Sequence, residues 1–330
     1  MNRLVPVATV VVLVLLVLWR IGVFGPQKPI ESVKEAGEKA VGVITGDDGF
    51  SFDQDIPGYE TYLSFIQGCP TKDCIPSIDD PKFESVSAAD EWLDEEDVVF
   101  VVDYKGQVKA YPQRILNWHE IVNDVIGDPL VITFCPLCGS ALTFDRRVDG
   151  QTLEFGVSGK LHNNDLVMYD RQTESLWQQI TGGAIVGELF GKRLAQIPTS
   201  GMRFSQFKIG FPNGEVLSRD TGFRRDYDSY PYGNYESDTN PLFPVEGGVD
   251  TTIHPKAVVY GVIIGEEAKA YSEGKIREEG IINDEVGGVS IKISYNNGDV
   301  NVIRSDDLEL AATRLFWFAW KAFHPDTKLY

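Results

Sequence analysis

The feature that most constrains the fold is an internal repeat. Residues 98–124 read VVFVVDYKGQVKAYPQRILNWHEIVND, and residues 258–284 read VVYGVIIGEEAKAYSEGKIREEGIIND. The two align without a gap when Val98 is set on Val258. Identities fall at Val99/Val259, Lys109/Lys269, Ala110/Ala270, Tyr111/Tyr271, Ile121/Ile281, Asn123/Asn283, Asp124/Asp284 and Gly127/Gly287. A duplicated stretch of this length implies one structural unit used twice.

Each copy carries a β-rich run (98–103 in the first), a turn at Tyr104-Lys105-Gly106 and a returning strand (107–111). Pro112 is suited to open a short helix, because the first helical position needs no N–H. A further strand is expected at 129–134 and again at 289–295. The expected fold class is α+β, mostly antiparallel β with short helices. It contains two repeated β-rich units, about residues 98–147 and 258–307, in a domain of residues 49–330. Segment 49–96 reads mostly as loops, with a short helix near Ala88-Ala89-Asp90-Glu91-Trp92.

The chain runs apolar from Leu4 to Trp19 and, past Arg20, on to Phe24. As a helix the whole stretch is roughly 31 Å long, enough to span a bilayer core. Arg20 can snorkel to the interface and Trp19 suits the interfacial belt. A cleaved signal peptide is the rival reading; Val23-Phe24-Gly25 offers a weak cleavage site, but Pro26 follows it. The preferred expectation is a membrane anchor at residues 1–25 and a linker at 26–48. The folded part then lies outside the cytoplasm, on a single-pass protein of the cell membrane. Basic residues flank the apolar run on both sides, so orientation rests on the short N-terminal tail and the cysteines. The formal net charge of −19 excludes nucleic acid as an expected partner, since phosphates would be repelled. A protein or small-molecule partner is not legible.

The sharpest chemical motif is Phe134-Cys135-Pro136-Leu137-Cys138-Gly139, between the strand-like runs PLVITF and SALTFDR. Two thiolates at this spacing form a metal knuckle, and Gly139 permits the left-handed residue that ends such a turn. His119 is a candidate third ligand and Met168 a candidate fourth, with His324 a further candidate. Two Cys, one His and one Met favour copper; a carboxylate or water in place of Met suits zinc. The same pair also fits a redox-active disulfide or a purely structural pair, and His119 and Met168 also fit structural roles. Cys69 and Cys74, separated by Pro-Thr-Lys-Asp, suit a local disulfide. The tyrosine-rich residues 221–235 read equally as an ordered functional loop or a surface connection. In the second copy, His119 is matched by Glu279, Cys135 by Tyr295 and Cys138 by Gly298, so the first copy carries the chemistry. Three readings follow: a metalloprotein, a thiol–disulfide oxidoreductase using Cys135 and Cys138, and a non-catalytic binding module.

From about residue 70 to residue 330 the sequence resembles the proteins catalogued as domain of unknown function (DUF) 3179. The residues that carry the resemblance are KDCIPSIDDPKF (72–83), WHEIVND (118–124), FCPLCGS (134–140), NDLVMYDR (164–171), SLW (175–177) and WFAW (317–320). The resemblance implies no particular activity. It implies that His119, Cys135, Cys138 and residues 164–171 belong to a shared pattern. It also implies that Cys74 stands where a glycine is expected, which favours a disulfide local to this chain over a four-cysteine site.

Overall fold

A computed structural model describes residues 48–296 and 298–330. The expected anchor at residues 1–25 lies outside the described residues, as does the expected linker apart from its last residue, Asp48. Among the described residues, no helix is long and apolar enough to cross a membrane. Asp48 is buried, and its Oδ2 accepts from the Tyr62 hydroxyl at 2.8 Å and pairs with the buried Lys160.

The described residues form mostly antiparallel sheets with few short helices, and the repeat is visible element by element. In the first half, Val98–Tyr104 and Gln107–Pro112 pair as a hairpin, helix Gln113–His119 follows, and Ile121–Ile126, Asp128–Cys135 and Ser140–Asp145 form an antiparallel run. In the second half the same order is Val258–Ile264, Glu267–Ser272, helix Glu273–Glu279, Ile281–Val286, Val289–Asn296 and Asp299–Arg304. The two leading strands share one burial pattern along their whole length. The first hairpin turns through Lys105 and Gly106, both at positive φ, which is the backbone a two-residue turn needs to match strand twist. Pro112 is the residue before its helix rather than the first inside it.

The repeat also runs beyond the part legible in the sequence. Strand Ser200–Arg203, helix Phe204–Gly210 and strand Glu215–Leu217 pack on the first half; Thr313–Phe316, Trp317–Phe323 and Lys328–Leu329 pack on the second. The registers agree: Val98 faces Arg203 and Val258 faces Phe316, while Lys109 faces Glu215 and Lys269 faces Lys328, both in parallel. The step along the chain from Ser200 to Thr313 is shorter than the step from Val98 to Val258. The first half therefore carries an insertion, which hides this part of the match from a fixed-offset comparison.

That insertion builds a sheet of its own from Phe155–His162, Asp165–Asp170, Leu176–Gln178 and Gly183–Val186, extended by Ile66–Gln67. Strand Thr313–Phe316 of the second half meets Ser140–Asp145 of the first at Arg314 and Ala141, fusing two sheets into one of eight strands. The largest apolar cluster lies against these sheets and includes Phe155, Met168, Trp177, Trp317 and Trp320 beside both Cys135 and Cys138. Each large side chain so buried contributes about 1.5–3 kcal/mol. The segment expected to be mostly loops holds helix Tyr59–Leu63, strand Phe83–Ser85 and a single helical turn, Val86–Ala89.

Candidate functional site

The chemistry-bearing knuckle is one of the places where the two halves differ in chain length. In the first half, Cys135 pairs with Ser140 across the loop of residues 136–139; in the second, Asn296 pairs with Asp299 across residues 297 and 298. The turn before the strand is one position longer in the second half, so the register there advances by one: Ile121 faces Thr133, whereas Ile281 faces Ser294. The structural counterpart of Cys135 is therefore Asn296, not the Tyr295 given by the ungapped alignment. The connection between the paired residues is two residues shorter in the second half.

The loop is held by tight packing. Gly139 has φ 59°, and a Cβ there would lie 2.8 Å from the Phe316 ring, so only glycine fits. The Phe316 amide donates to the Cys138 carbonyl at 2.8 Å. These constraints aim both sulfurs inward, with Cys135 2% and Cys138 0% exposed. Both cysteines are free thiols, whereas Cys69 and Cys74 form a disulfide.

The third group comes from the insertion. Asn163 and Asn164, both at positive φ, turn the chain between strands Phe155–His162 and Asp165–Asp170. This brings Asp165 to the knuckle: a carboxylate oxygen and the two sulfurs lie within 4.8 Å of one another. Asp165 is fully buried, and its Oδ2 accepts from the Gln178 side chain and from the Ile180 amide at 3.0 Å. Its Oδ1 has no hydrogen-bond partner. The Cys135 thiol donates to the Asn164 carbonyl at 3.4 Å.

A second buried carboxyl borders this group without being one of the three gathered within 4.8 Å: it belongs to Glu120, whose carbonyl accepts from the amide of Phe134, the residue before Cys135, at 2.7 Å. Glu120, 7% exposed, accepts from the Tyr232 hydroxyl at 3.1 Å and acts electrostatically on Cys135, as Asp165 acts on Glu120. Burial lifts Asp165 to about 7 and Glu120 to about 8. Burial likewise pushes both thiols up, Cys138 furthest, with Cys135 and Asp165 adding to the rise at Cys138. Among the described residues neither Asp165 nor Glu120 has an ion-pair partner, so the two thiols with Asp165, and Glu120 bordering them, are buried without a counter-charge.

The tyrosine-rich segment closes this site from outside. Between Leu217 and Val258 the chain has a single 3₁₀ turn, Tyr235–Ser237, as regular structure. Tyr235 donates to the Leu137 carbonyl at 2.8 Å and Tyr232 to Glu120. Asn164 grips the same segment, accepting from the Phe243 amide at 2.8 Å and donating to the Phe243 carbonyl at 2.9 Å.

The other sequence candidates fall elsewhere. His119 is fully buried, with Nδ1 2.7 Å from the Pro76 carbonyl and Nε2 2.7 Å from the Tyr227 hydroxyl. A carbonyl can only accept, so Nδ1 carries the proton, Nε2 accepts from Tyr227, and Tyr227 in turn accepts from Thr221 at 2.6 Å. Both ring nitrogens are thus engaged, and the structure sets Asp165, not His119, beside the thiols. Met168 is fully buried in the apolar cluster that also holds the cysteines. His324 follows helix Trp317–Phe323, with its ring 4.0 Å from that of Trp320, and is not one of the groups gathered at the knuckle.

Two residues of the site carry no ligand signature in the sequence. Asp165 lies inside the shared run 164–171, where Met168 is the softer and more conspicuous donor. Glu120 follows His119, and its counterpart in the second copy is Gly280, a contrast visible in the aligned repeats.

No curated protein and no solved structure matches this chain. A family model described as "Protein of unknown function (DUF3179)" matches residues 72–312, taking in the knuckle, Asp165, the covering segment, the first repeat half and the second as far as Ala312; the closing pieces of the second half, with Trp317–Trp320, lie beyond the match. With most of its length matched in this way, the chain belongs to the DUF3179 family.

Proposed function

We propose that this is a membrane-anchored extracytoplasmic metalloprotein whose folded domain holds a transition-metal ion, zinc in preference to copper, between Cys135, Cys138 and Asp165. The observation that carries the reading is the orphaned Asp165 Oδ1, on a fully buried carboxyl within 4.8 Å of two sulfurs. An unsatisfied buried oxygen costs about 1–3 kcal/mol, and a cation shared with two thiolates removes that cost. Among the described residues no basic group pairs with these acids, so burial favours their protonated forms, and a divalent ion that displaces the protons supplies the charge that lets the donors ionise. Two sulfurs and a carboxylate suit zinc, while the softer set with Met168 suits copper. On this reading His119 fastens the covering segment through Tyr227, and Met168 forms part of the wall.

The extracytoplasmic placement rests on the apolar residues 4–24 and on the Cys69–Cys74 disulfide, which persists in an oxidising compartment. Elemental analysis and zinc titration of the purified full-length chain test the metal. One equivalent of zinc, lost in Cys135→Ser and Asp165→Asn, is expected; a chain that neither carries nor takes up zinc or copper overturns the reading.

A second reading has one observation in its favour. Asp165, lifted to about 7 by burial, lies beside both thiols as a proton acceptor, as a dithiol–disulfide couple requires. In that case Cys135 and Cys138 pass two electrons and two protons to a partner disulfide and become a disulfide themselves. A Cys135–Cys138 bond found in the isolated chain, with no metal, would select it.

A further inference from the structure

The geometry assigns Glu120 to the Cys135–Cys138–Asp165 site as its fourth donor, kept there against the preference of its own backbone. This rests on the metal reading above. The protein supplies the comparison within itself. Helix Gln113–His119 ends on Glu120 at φ 59°, ψ −30°, and helix Glu273–Glu279 ends on Gly280 at φ 70°, ψ −43°. The two residues do the same structural work. The Glu120 amide donates to Leu116 at 2.8 Å and the Gly280 amide to Ile276 at 2.8 Å; the Glu120 carbonyl accepts from Phe134 at 2.7 Å and the Gly280 carbonyl from Tyr295 at 2.9 Å.

The fold therefore asks for a left-handed residue at this corner, and the second half meets the demand with glycine, which has no Cβ to clash. The first half uses glutamate, which bears the cost both of positive φ and of a buried carboxyl. Nothing in the corner's hydrogen bonding needs that side chain. What differs is its surroundings. Only the first half has two cysteines, an Asp165 with a free oxygen, and a covering tyrosine that donates to the glutamate. Three donors leave a four-coordinate ion one ligand short. The knuckle is sealed, with Cys138 at 0% exposure, so the ligand must come from a buried group. Glu120 is outside the trio gathered within 4.8 Å, its carboxylate held by Tyr232. Its carbonyl is bonded to the amide of Phe134 beside Cys135, so its side chain supplies the ligand by turning from the tyrosine toward the ion. Strain at a non-glycine residue is characteristic of working positions.

The test measures zinc affinity, by competition with a chromophoric chelator, and melting temperature of the metal-free full-length chain. Glu120→Gly is expected to weaken zinc binding by about tenfold or more while raising the metal-free melting temperature by about 2–4 °C. Glu120→Gln, which keeps the strain and removes the anionic donor, is expected to weaken binding with a smaller gain in melting temperature. Gly280→Ala calibrates the strain, since a Cβ there meets nothing within 4 Å; it should lower the melting temperature and leave zinc affinity unchanged. A Glu120→Gly chain that binds zinc as tightly as wild type, or that melts lower, overturns the inference. A wild-type chain that binds no metal overturns the reading beneath it, and the two failures are told apart by that single measurement.

Discussion

Lys109 and Asp124 form a buried ion pair at 2.9 Å, with 9% and 6% of their side chains exposed, and Lys269 and Asp284 repeat it in the second half. Each aspartate also accepts from a tyrosine of the neighbouring hairpin, Tyr111 at 2.6 Å and Tyr271 at 2.7 Å. The pair ties the returning strand of each hairpin to the strand after the helix, so it fixes how the two sheets of each half meet. This is the reason Lys, Tyr and Asp stand at matching places while much of the rest has diverged.

Removing one partner of such a pair strands the other. Asp124→Ala leaves the Lys109 ammonium in the core and should cost about 3–5 kcal/mol. The second-half pair is more open, at 15% and 17% exposed, so Asp284→Ala should cost about 1–2 kcal/mol. Urea unfolding of the two variants checks the order, and an equal loss in both would contradict the burial argument.

Asp165→Asn separates metal binding from folding. The asparagine oxygen can still accept from Ile180 and Gln178, and the amide nitrogen replaces the orphaned Oδ1. The metal-free chain should stay within about 1 kcal/mol of wild type. Zinc affinity should fall by more than the roughly 10–100-fold that loss of an outer partner costs. Calorimetric titration with zinc reads the affinity, and urea unfolding of the metal-free chain reads the stability.

His119 should make the metal-free fold sensitive to acid. Burial pushes its imidazole down to about 4, whereas the unfolded chain titrates near 6.5. Between these values the unfolded state takes up a proton that the folded state refuses. The His119 contribution is therefore whole above pH 6.5 and is lost as pH falls toward 4, by at most about 3 kcal/mol. The difference in unfolding free energy between wild type and His119→Gln, followed from neutral pH down through that window, should shrink across it.

The Cys69–Cys74 disulfide closes a short loop, with a sequence separation of 5. On the chain-entropy estimate it should stabilise the fold by roughly 2 kcal/mol. The double variant Cys69→Ser/Cys74→Ser should melt about 4–8 °C lower and retain zinc binding, since neither sulfur belongs to the knuckle cluster. Differential scanning calorimetry with and without zinc checks both statements.

The amino-acid sequence alone determined what is local or periodic. A continuous run of β-branched and aromatic residues and the Tyr-Lys-Gly turn set the first hairpin. The constant step from Val98 to Val258 exposed the duplication, the spacing of Cys135 and Cys138 set a two-thiol turn, and that of Cys69 and Cys74 set a disulfide. Only the tertiary structure decided the rest. The third piece of each half is hidden because an insertion shortens its step along the chain, and no local pattern records that Arg203 and Phe316 occupy one register position. Asp165 reaches the thiols through a sheet formed by that insertion, well downstream of Cys138, so its role is set by strand pairing rather than by spacing. His119 has the look of a ligand in the sequence because imidazoles bind metals. It is fastened instead between Pro76 and Tyr227, far from it on either side along the chain, partners that only folding brings within hydrogen-bonding distance.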